Sequence, residues 1–395
     1  MKRIIAVLLS LAVLLVSFGI ASALAKSDSV TISKEEYEAY QKTALLAEIM
    51  DIVDELYYGK YDEETLINAA AESMLDALGD DYTFFYTQEM LQNMSIQNET
   101  DYDCVGLQLV NYDGSDRCYI AQVRDGSPAR EAGLCRGDIL LRIEPNFEVN
   151  ADNISDAAAR MSRSYSGELT LTVLRNGEVM SFCLNRRKTE INYVESRLLE
   201  DGIGYIHLFE FAGTCVDEVA TELAALVDMG AKGIILDLRD NPGGWLEEAQ
   251  QIGDLFMDEG EVCYLQYKDG RKEHCYPTKD GKVDVQVVVL INEVTASAAE
   301  VLAGALRDSL DAPVVGVTSF GKGIVQFEVE LSGGNLMQIT GAEYVLPGGE
   351  KVHHVGLTPD FECMLATDEN GDYVFGDFDD VQLDIAVEVM RGRLR

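Results

Sequence analysis

The sequence predicts a multidomain α/β protein. Apolar residues recur at helical spacing from about residue 33 to 78, break into short runs punctuated by turn residues between about 104 and 187, and alternate with helical segments from 193 onward. At 395 residues, 47% of them hydrophobic, the chain has room for two or three domains of roughly 100–200 residues, each with its own core. The 31 Lys and Arg against 69 Asp and Glu leave a formal net charge of −38, and no basic stretch is long enough to follow a phosphate backbone. That balance argues against nucleic acid as a partner.

Residues 1–25 read as an export segment. Met1-Lys2-Arg3 is a basic start, residues 4–20 are apolar apart from Ser10, Ser17 and Gly19, and Ala23-Leu24-Ala25 has the form of a cleavage site. The run is longer than a usual signal core and a little short of the roughly 20 residues that span a bilayer. It serves either as a signal peptide or as a membrane anchor, with the rest of the chain outside the cytoplasm in both cases.

Residues 26–100 form a helical region. Ser33-x-x-Glu36 is a capping box, and Leu45, Leu46, Ile49, Ile52, Val53 and Leu56 line one helix face; a second helix runs from about Asp62 to Leu78, stopped by Gly79, and the two are expected to pack together. The aromatic stretch from Tyr82 to Tyr86 reads as a seal between this region and the next domain. Residues 101–190 form a compact module of short strands, with strands expected at 105–110, 118–123, 139–143, 169–174 and 179–184, helices at 127–133 and 154–161, and a hairpin turn at Asn176-Gly177. Residues 191–365 alternate strands (203–209, 233–237, 287–291, 314–317) with helices (214–229, 247–257, 297–309), the pattern of a mostly parallel sheet covered by helices. Residues 366–395 end in an amphipathic segment, 381–390. The helices at either end of the chain offer faces through which two copies could pair.

Eight cysteines in an exported chain permit disulfides. Strands at 262–267 and 271–276 around Lys268-Asp269-Gly270 would set Cys263 directly opposite Cys275, within disulfide reach; small buried thiols are the other reading. No C-x-x-C and no His pair of ligand spacing is present, so no metal site is expected. Gly316 to Gly323 nearly spells a phosphate-binding loop, but Gly323 stands where the magnesium-binding hydroxyl belongs and a strand follows. The four histidines carry no signal: His353 and His354 would point to opposite faces of an extended chain.

The chemistry-bearing stretch is Asn292 to Glu300. It follows an apolar strand and opens a helix, so Ser297 sits at a strand-to-helix turn where unpaired N–H groups and the positive end of the helix dipole suit an anionic intermediate. By itself Ser297, or Thr295, would read as an N-cap. Two further segments complete a set. Gly233 to Gly244 is a buried strand ending in a polar turn with paired glycines, and glycine lets a backbone N–H approach a substrate carbonyl. Ser319-Phe320-Gly321-Lys322-Gly323 leads into a strand that carries Gln326. A hydroxyl attacks an amide only if a base takes its proton, and lysine can do so once burial lowers its pKa from about 10.4 towards neutrality. Ser297 is then the nucleophile, Lys322 the base, Gln326 its orienting partner, and the N–H groups of Gly243 and Ala298 the oxyanion hole. No cofactor is required.

These segments resemble the C-terminal processing peptidases, or tail-specific proteases. The likeness takes in Leu78-Gly79-Asp80-Asp81-Tyr82-Thr83, Gly126-Ser127-Pro128-Ala129, Asp237-Leu238-Arg239-Asp240-Asn241-Pro242-Gly243-Gly244, Thr295-Ala296-Ser297-Ala298-Ala299-Glu300, Ser319-Phe320-Gly321-Lys322-Gly323 with Gln326, and Gly356-Leu357-Thr358-Pro359-Asp360. Where the family more often has Gly-Ser-Ala before the nucleophile, this chain has Val294-Thr295-Ala296. The resemblance implies a Ser-Lys peptidase on a crotonase-like α/β core and identifies the short-strand module as a PDZ-like domain. Val105, Gly106, Leu107, Gln108 and Leu109 would match the loop that captures a peptide carboxylate, and Leu107 and Leu109 would favour an apolar last residue. The implied substrates are proteins with free, apolar C-termini. The alternative is a PDZ-type scaffold or chaperone whose peptidase core is inactive.

Overall fold

The computed structural model describes residues 32–97, 102–103, 105–112, 114–162, 166–257, 260–276, 282–376 and 379–395. The export segment at 1–25 and Cys104 lie outside the described residues. No helix among the described residues is long and apolar enough to cross a membrane.

The chain divides into two compact units, residues 1–70 and 71–395. Helix α1 (Lys34–Leu56) begins with the expected capping box: Ser33 Oγ accepts from Glu36 N at 3.1 Å, and the Glu36 carboxylate accepts from Ser33 N at 2.6 Å. Helix α2 (Glu63–Asp76) follows. Neither helix fully buries a residue: Ala47, Met50 and Val53 of α1 and Leu66, Ala70 and Leu75 of α2 are half-buried, and Leu45, Ile49, Ile52 and Leu56 remain exposed along α1.

Strand β1 (Phe84–Tyr86) and helix α3 (Gln88–Gln97) lead to the short-strand module. There β2 (Tyr102–Asp103), β3 (Leu107–Val110), β4 (Tyr119–Val123), α4 (Pro128–Ala132), β5 (Ile139–Ile143), β6 (Phe147–Glu148), α5 (Ile154–Ser162), β7 (Glu168–Arg175), β8 (Glu178–Asn185) and β9 (Thr189–Glu190) follow in order. The main sheet runs β3-β4-β5-β7-β8, with β6 on β5 and every pairing antiparallel. Asn176 and Gly177, both at positive φ (50° and 78°), make the predicted turn between β7 and β8. Ile120, Leu140, Leu171 and Val173 from the sheet pack with Ala157 and Met161 of α5.

The remaining elements are β10 (Val194–Leu198), β11 (Ile203–Leu208), α6 (Cys215–Asp228), β12 (Gly233–Asp237), α7 (Leu246–Gly253), β13 (Cys263–Tyr267), β14 (Lys272–Cys275), β15 (Gln286–Ile291), α8 (Ala298–Leu310), β16 (Val314–Gly316), β17 (Ile324–Glu330), β18 (Leu336–Val345), β19 (Phe361–Glu362), β20 (Ala366–Thr367), β21 (Tyr373–Val374) and α9 (Val381–Arg393). One sheet has the order β10-β11-β12-β15-β16-β19; β10 is antiparallel to β11, and the others are parallel. Its strands are apolar without alternation because both faces are covered. Val287, Val289 and Ile291 join the core of α6, α7 and α8, while Val288 and Leu290 meet Ala386 and Met390 of α9. The C-terminal helix thus turns Ala386 and Met390 onto the sheet of its own chain, with Leu383, Ile385, Val387 and Val389 partly buried against it.

A second sheet has the order β1-β18-β13-β14, with β17 on β18. The aromatic stretch is therefore not a seal against the short-strand module. Its polar backbone is satisfied by pairing with β18, Phe84 opposite Gln338. Cys263 is opposite Cys275, as the hairpin reading required, and both are free thiols. His353 and His354 are not on opposite faces. A turn with His354 at φ +59° brings their ring centroids to 3.8 Å.

Arg239, 1% exposed, ties α9 to the sheet. Its guanidinium donates to both Asp237 oxygens, to Asp380 at 2.7 and 2.9 Å, and to Gln382 at 3.1 Å. Burial alone would raise the pKa of Asp237 and Asp380, but Arg239 outweighs it and holds both carboxyls low. Carboxyls depressed in the folded state stabilise it above their unfolded pKa of about 3.9, and that stability is lost as pH falls through the folded values. Asp380→Ala, which leaves part of a buried cation unpaired, should cost about 3–5 kcal/mol in urea unfolding at neutral pH, with the deficit relative to wild type shrinking in acid.

Candidate active site

Strand β15 ends at Ile291, and six residues later the chain turns into α8 through Ser297, whose φ of +54° and ψ of −121° lie where non-glycine residues are strained. The turn is over-determined. Asn292 Oδ1 accepts from the N–H of Asp240 at 2.9 Å and of Val294 at 3.2 Å, the Thr295 hydroxyl donates to Leu238 O at 2.8 Å, and Ala296 N donates to Asn241 O at 3.0 Å. Such bracing holds a serine in a conformation it would not choose alone.

Glu300, fully buried in the first turn of α8, joins the two halves of the site. Its carboxylate accepts from Ser297 N (2.9 Å), Lys322 N (2.9 Å), Gly321 N (2.8 Å) and the Ser319 hydroxyl (2.5 Å). Burial raises its pKa, and these hydrogen bonds pull in the opposite direction. Tyr344 of β18 donates to the carbonyl oxygens of both Ser297 and Lys322, locking the same pair of segments from the other side.

Ser297, Ala298, Lys322 and Gln326 line one cleft of about 300 Å³, together with Trp245, Val301 and Tyr344. The Lys322 amine is half-buried and its pKa is lowered by that burial. Among the described residues it makes no hydrogen bond to Ser297 or Gln326. The Gln326 amide nitrogen donates to Thr340 Oγ1 across the strand pair at 3.3 Å. Gly243, at φ +101°, lies against Ser297: a Cβ there would come within 2.7 Å of Ser297 Cβ and 3.1 Å of Ala298 N. Its own N–H donates to Asn241 Oδ1 at 2.8 Å, so one of the two expected oxyanion donors is engaged within its own loop.

In the short-strand module Val105 is buried and Gly106 takes φ +80°, where a Cβ would meet Ser127 Cβ at 2.1 Å. Leu107, Gln108 and Leu109 follow in β3, the end strand of its sheet. Gln108 has a task the sequence did not reveal: its amide donates to Asp240 O at 2.7 Å. Tyr112 and Arg136 of the same module bind the Asp240 carboxylate at 2.8 and 3.1 Å, which seats the module on the loop that leads to Gly243. Glu300 also went without a role in the sequence reading, although Ser297-x-x-Glu300 has the same spacing as the box at Ser33. The Asp240 contacts had no such signal, since their partners are more than 100 residues away.

Residues 202–363 match the model of peptidase family S41, and residues 94–174 that of the PDZ domain. The chain is 32% identical over 311 residues to the carboxy-terminal processing protease CtpA of Bacillus subtilis, covering 78% of this chain and 66% of that protein. It is 34% identical over 304 residues to a carboxyl-terminal-processing protease of Synechocystis sp., covering 75% and 70%. It thus spans about two thirds of the length of these relatives. A photosystem II D1 C-terminal processing protease superposes with a TM-score of 0.59 at 24% identity, over 86% of this chain and 96% of that one, a likeness of fold. Its place among the curated relatives, with both domain models met in sequence order, decides the family: this chain belongs to the carboxy-terminal processing proteases of peptidase family S41, serine-type peptidases with a PDZ domain.

Proposed function

We propose that this chain is an exported serine endopeptidase that selects proteins by their C-termini and cleaves them through a Ser297-Lys322 dyad on a crotonase-like core. The observation that carries the reading is the shared carboxylate of Glu300, which holds the backbones of nucleophile and base so that both side chains enter one cleft. Neutral Lys322 takes the Ser297 proton as the hydroxyl attacks the scissile carbonyl, then returns it to the leaving amine, with an acyl-enzyme between the two steps. Ala298 N, the first N–H of α8, serves as one oxyanion donor, and Gly243 N–H serves as the other once it passes from Asn241 Oδ1 to the developing charge. Gln326 orients the amine through its amide oxygen.

The edge of β3 would take the substrate tail as an added strand, with Val105 and Gly106 at its carboxylate and Leu107 and Leu109 beside an apolar last side chain. Residues 4–20 would export the chain or anchor it to the outer face of a membrane. Two copies would pair through the exposed stripe of α1.

Incubated with an unfolded protein substrate, Ser297→Ala and Lys322→Ala should each lower kcat/KM by about 10³-fold or more while peptide binding persists. Cleavage undiminished in both variants would remove the dyad; a wild type that binds tails and cuts nothing would favour the scaffold. Because burial lowers the Lys322 pKa, the neutral amine is present above that value and is lost as pH falls through it, so kcat/KM should decline on the acid side, about tenfold per pH unit. Glu300→Gln puts an amide donor against N–H groups that need an acceptor. It should cost about 2–4 kcal/mol in urea unfolding and about 10²-fold in kcat/KM.

A further inference from the structure

The Lys322 amine meets one side chain that the proposed mechanism does not use. Its Nζ lies 4.8 Å from the centroid of the Tyr82 ring. Tyr82 belongs to a strap, residues 80–86, stitched along β18. Gln338 Nε2 donates to Tyr82 O at 3.1 Å, Tyr82 N donates to Asp80 Oδ1 at 3.2 Å, and the Thr83 hydroxyl donates to Asp80 at 2.5 Å while accepting from Thr340 N at 3.1 Å. Thr83 is buried, and β1 continues the strap in register with β18. The ring is therefore held in place over the amine by backbone and side-chain bonds on either side of it.

We infer that Tyr82 is a positioning residue for Lys322, its ring acting as the cover that keeps water from the ε-amine. The inference rests on the reading of Lys322 as the base. A ring face has two opposed effects on a lysine: it attracts the ammonium, and it excludes the water that solvates it. Around Lys322 lie Glu300 on α8, which accepts from its backbone N–H, Glu328 on β17 and Tyr344 on β18, which line the same cleft, and His353 behind Gly323, while Asp80 and Asp81 on the strap act on the Tyr82 ring. The amine forms no ion pair with these carboxylates among the described residues, and burial lowers its pKa. Exclusion of water is thus the effect that matters, and Tyr82 is the side chain placed to supply it.

The test uses the full chain, with the pH profile of kcat/KM on an unfolded protein and, separately, the pH dependence of acetylation at Lys322 read by mass spectrometry. Tyr82→Phe keeps the ring and should superimpose on wild type in both. Tyr82→Ala admits water, so both profiles should move to higher pH, with kcat/KM about three- to tenfold lower at the pH where wild type is half-maximal. Tyr82→Leu covers the amine without a ring face and should leave both profiles at the wild-type position or slightly below it; it serves as the decisive variant if the alanine chain does not fold. Profiles unmoved in Tyr82→Ala, or Tyr82→Phe shifted as far as alanine, would overturn the inference, as would Tyr82→Leu displaced upward. If acetylation shifts as expected while Lys322→Ala still cleaves at the wild-type rate, Tyr82 covers the amine and it is the dyad that fails.

Discussion

A single buried carboxylate sets the geometry on which the catalytic reading depends. Glu300 is surrounded by protein, and removing its charge from water is costly unless every oxygen is matched. The donors that match it come from the two segments that must meet: Ser297 N at the start of α8, and Ser319, Gly321 and Lys322 in the loop before β17. Neither segment can drift without stranding donors in a dry interior. The same constraint explains why the loop contains glycine at 321 and 323, where a Cβ would collide with the backbone of residues 352–356 and of His353.

Around this centre, strain and access are arranged by other parts of the fold. Ser297 is held at positive φ by the hydrogen-bonded turn from Asn292 to Ala296, and Gly243 leaves the space beside it empty. Asp240, itself at positive φ, passes from the strand end to the glycine turn while the PDZ domain grips it through Gln108, Tyr112 and Arg136. The strand that would meet a substrate tail is thus bonded to the loop that would meet the scissile carbonyl. The two tasks share one short piece of chain.

Much of this was legible in one dimension because the residues concerned are dictated locally. The capping box at Ser33, the turn at Asn176-Gly177 and the unbroken apolar strands 233–237 and 287–291 each follow from propensity, backbone sterics or two-sided burial, and each stands where it was expected. The same holds for the serine at a strand-to-helix turn. The sequence misjudged features decided by distant partners. Two amphipathic helices that the pattern predicts to pack together leave every residue half-buried or exposed. The aromatic stretch after Gly79, a seal by its composition, pairs instead with an open strand edge, and the adjacent histidines lie in a turn that brings their rings together.

The sequence alone therefore determined the family and the succession of PDZ domain and peptidase core, and it put forward the residues proposed for acyl chemistry, since those depend on residue type and spacing along the chain. Only the tertiary structure decided that Glu300 would join Ser297 to Lys322, that α9 would close the far face of the parallel sheet, and that Gly243 would rest with its N–H on Asn241. A local pattern shows what a side chain can donate or accept. Which partner arrives from another part of the chain is settled only when burial forces every polar group to find one.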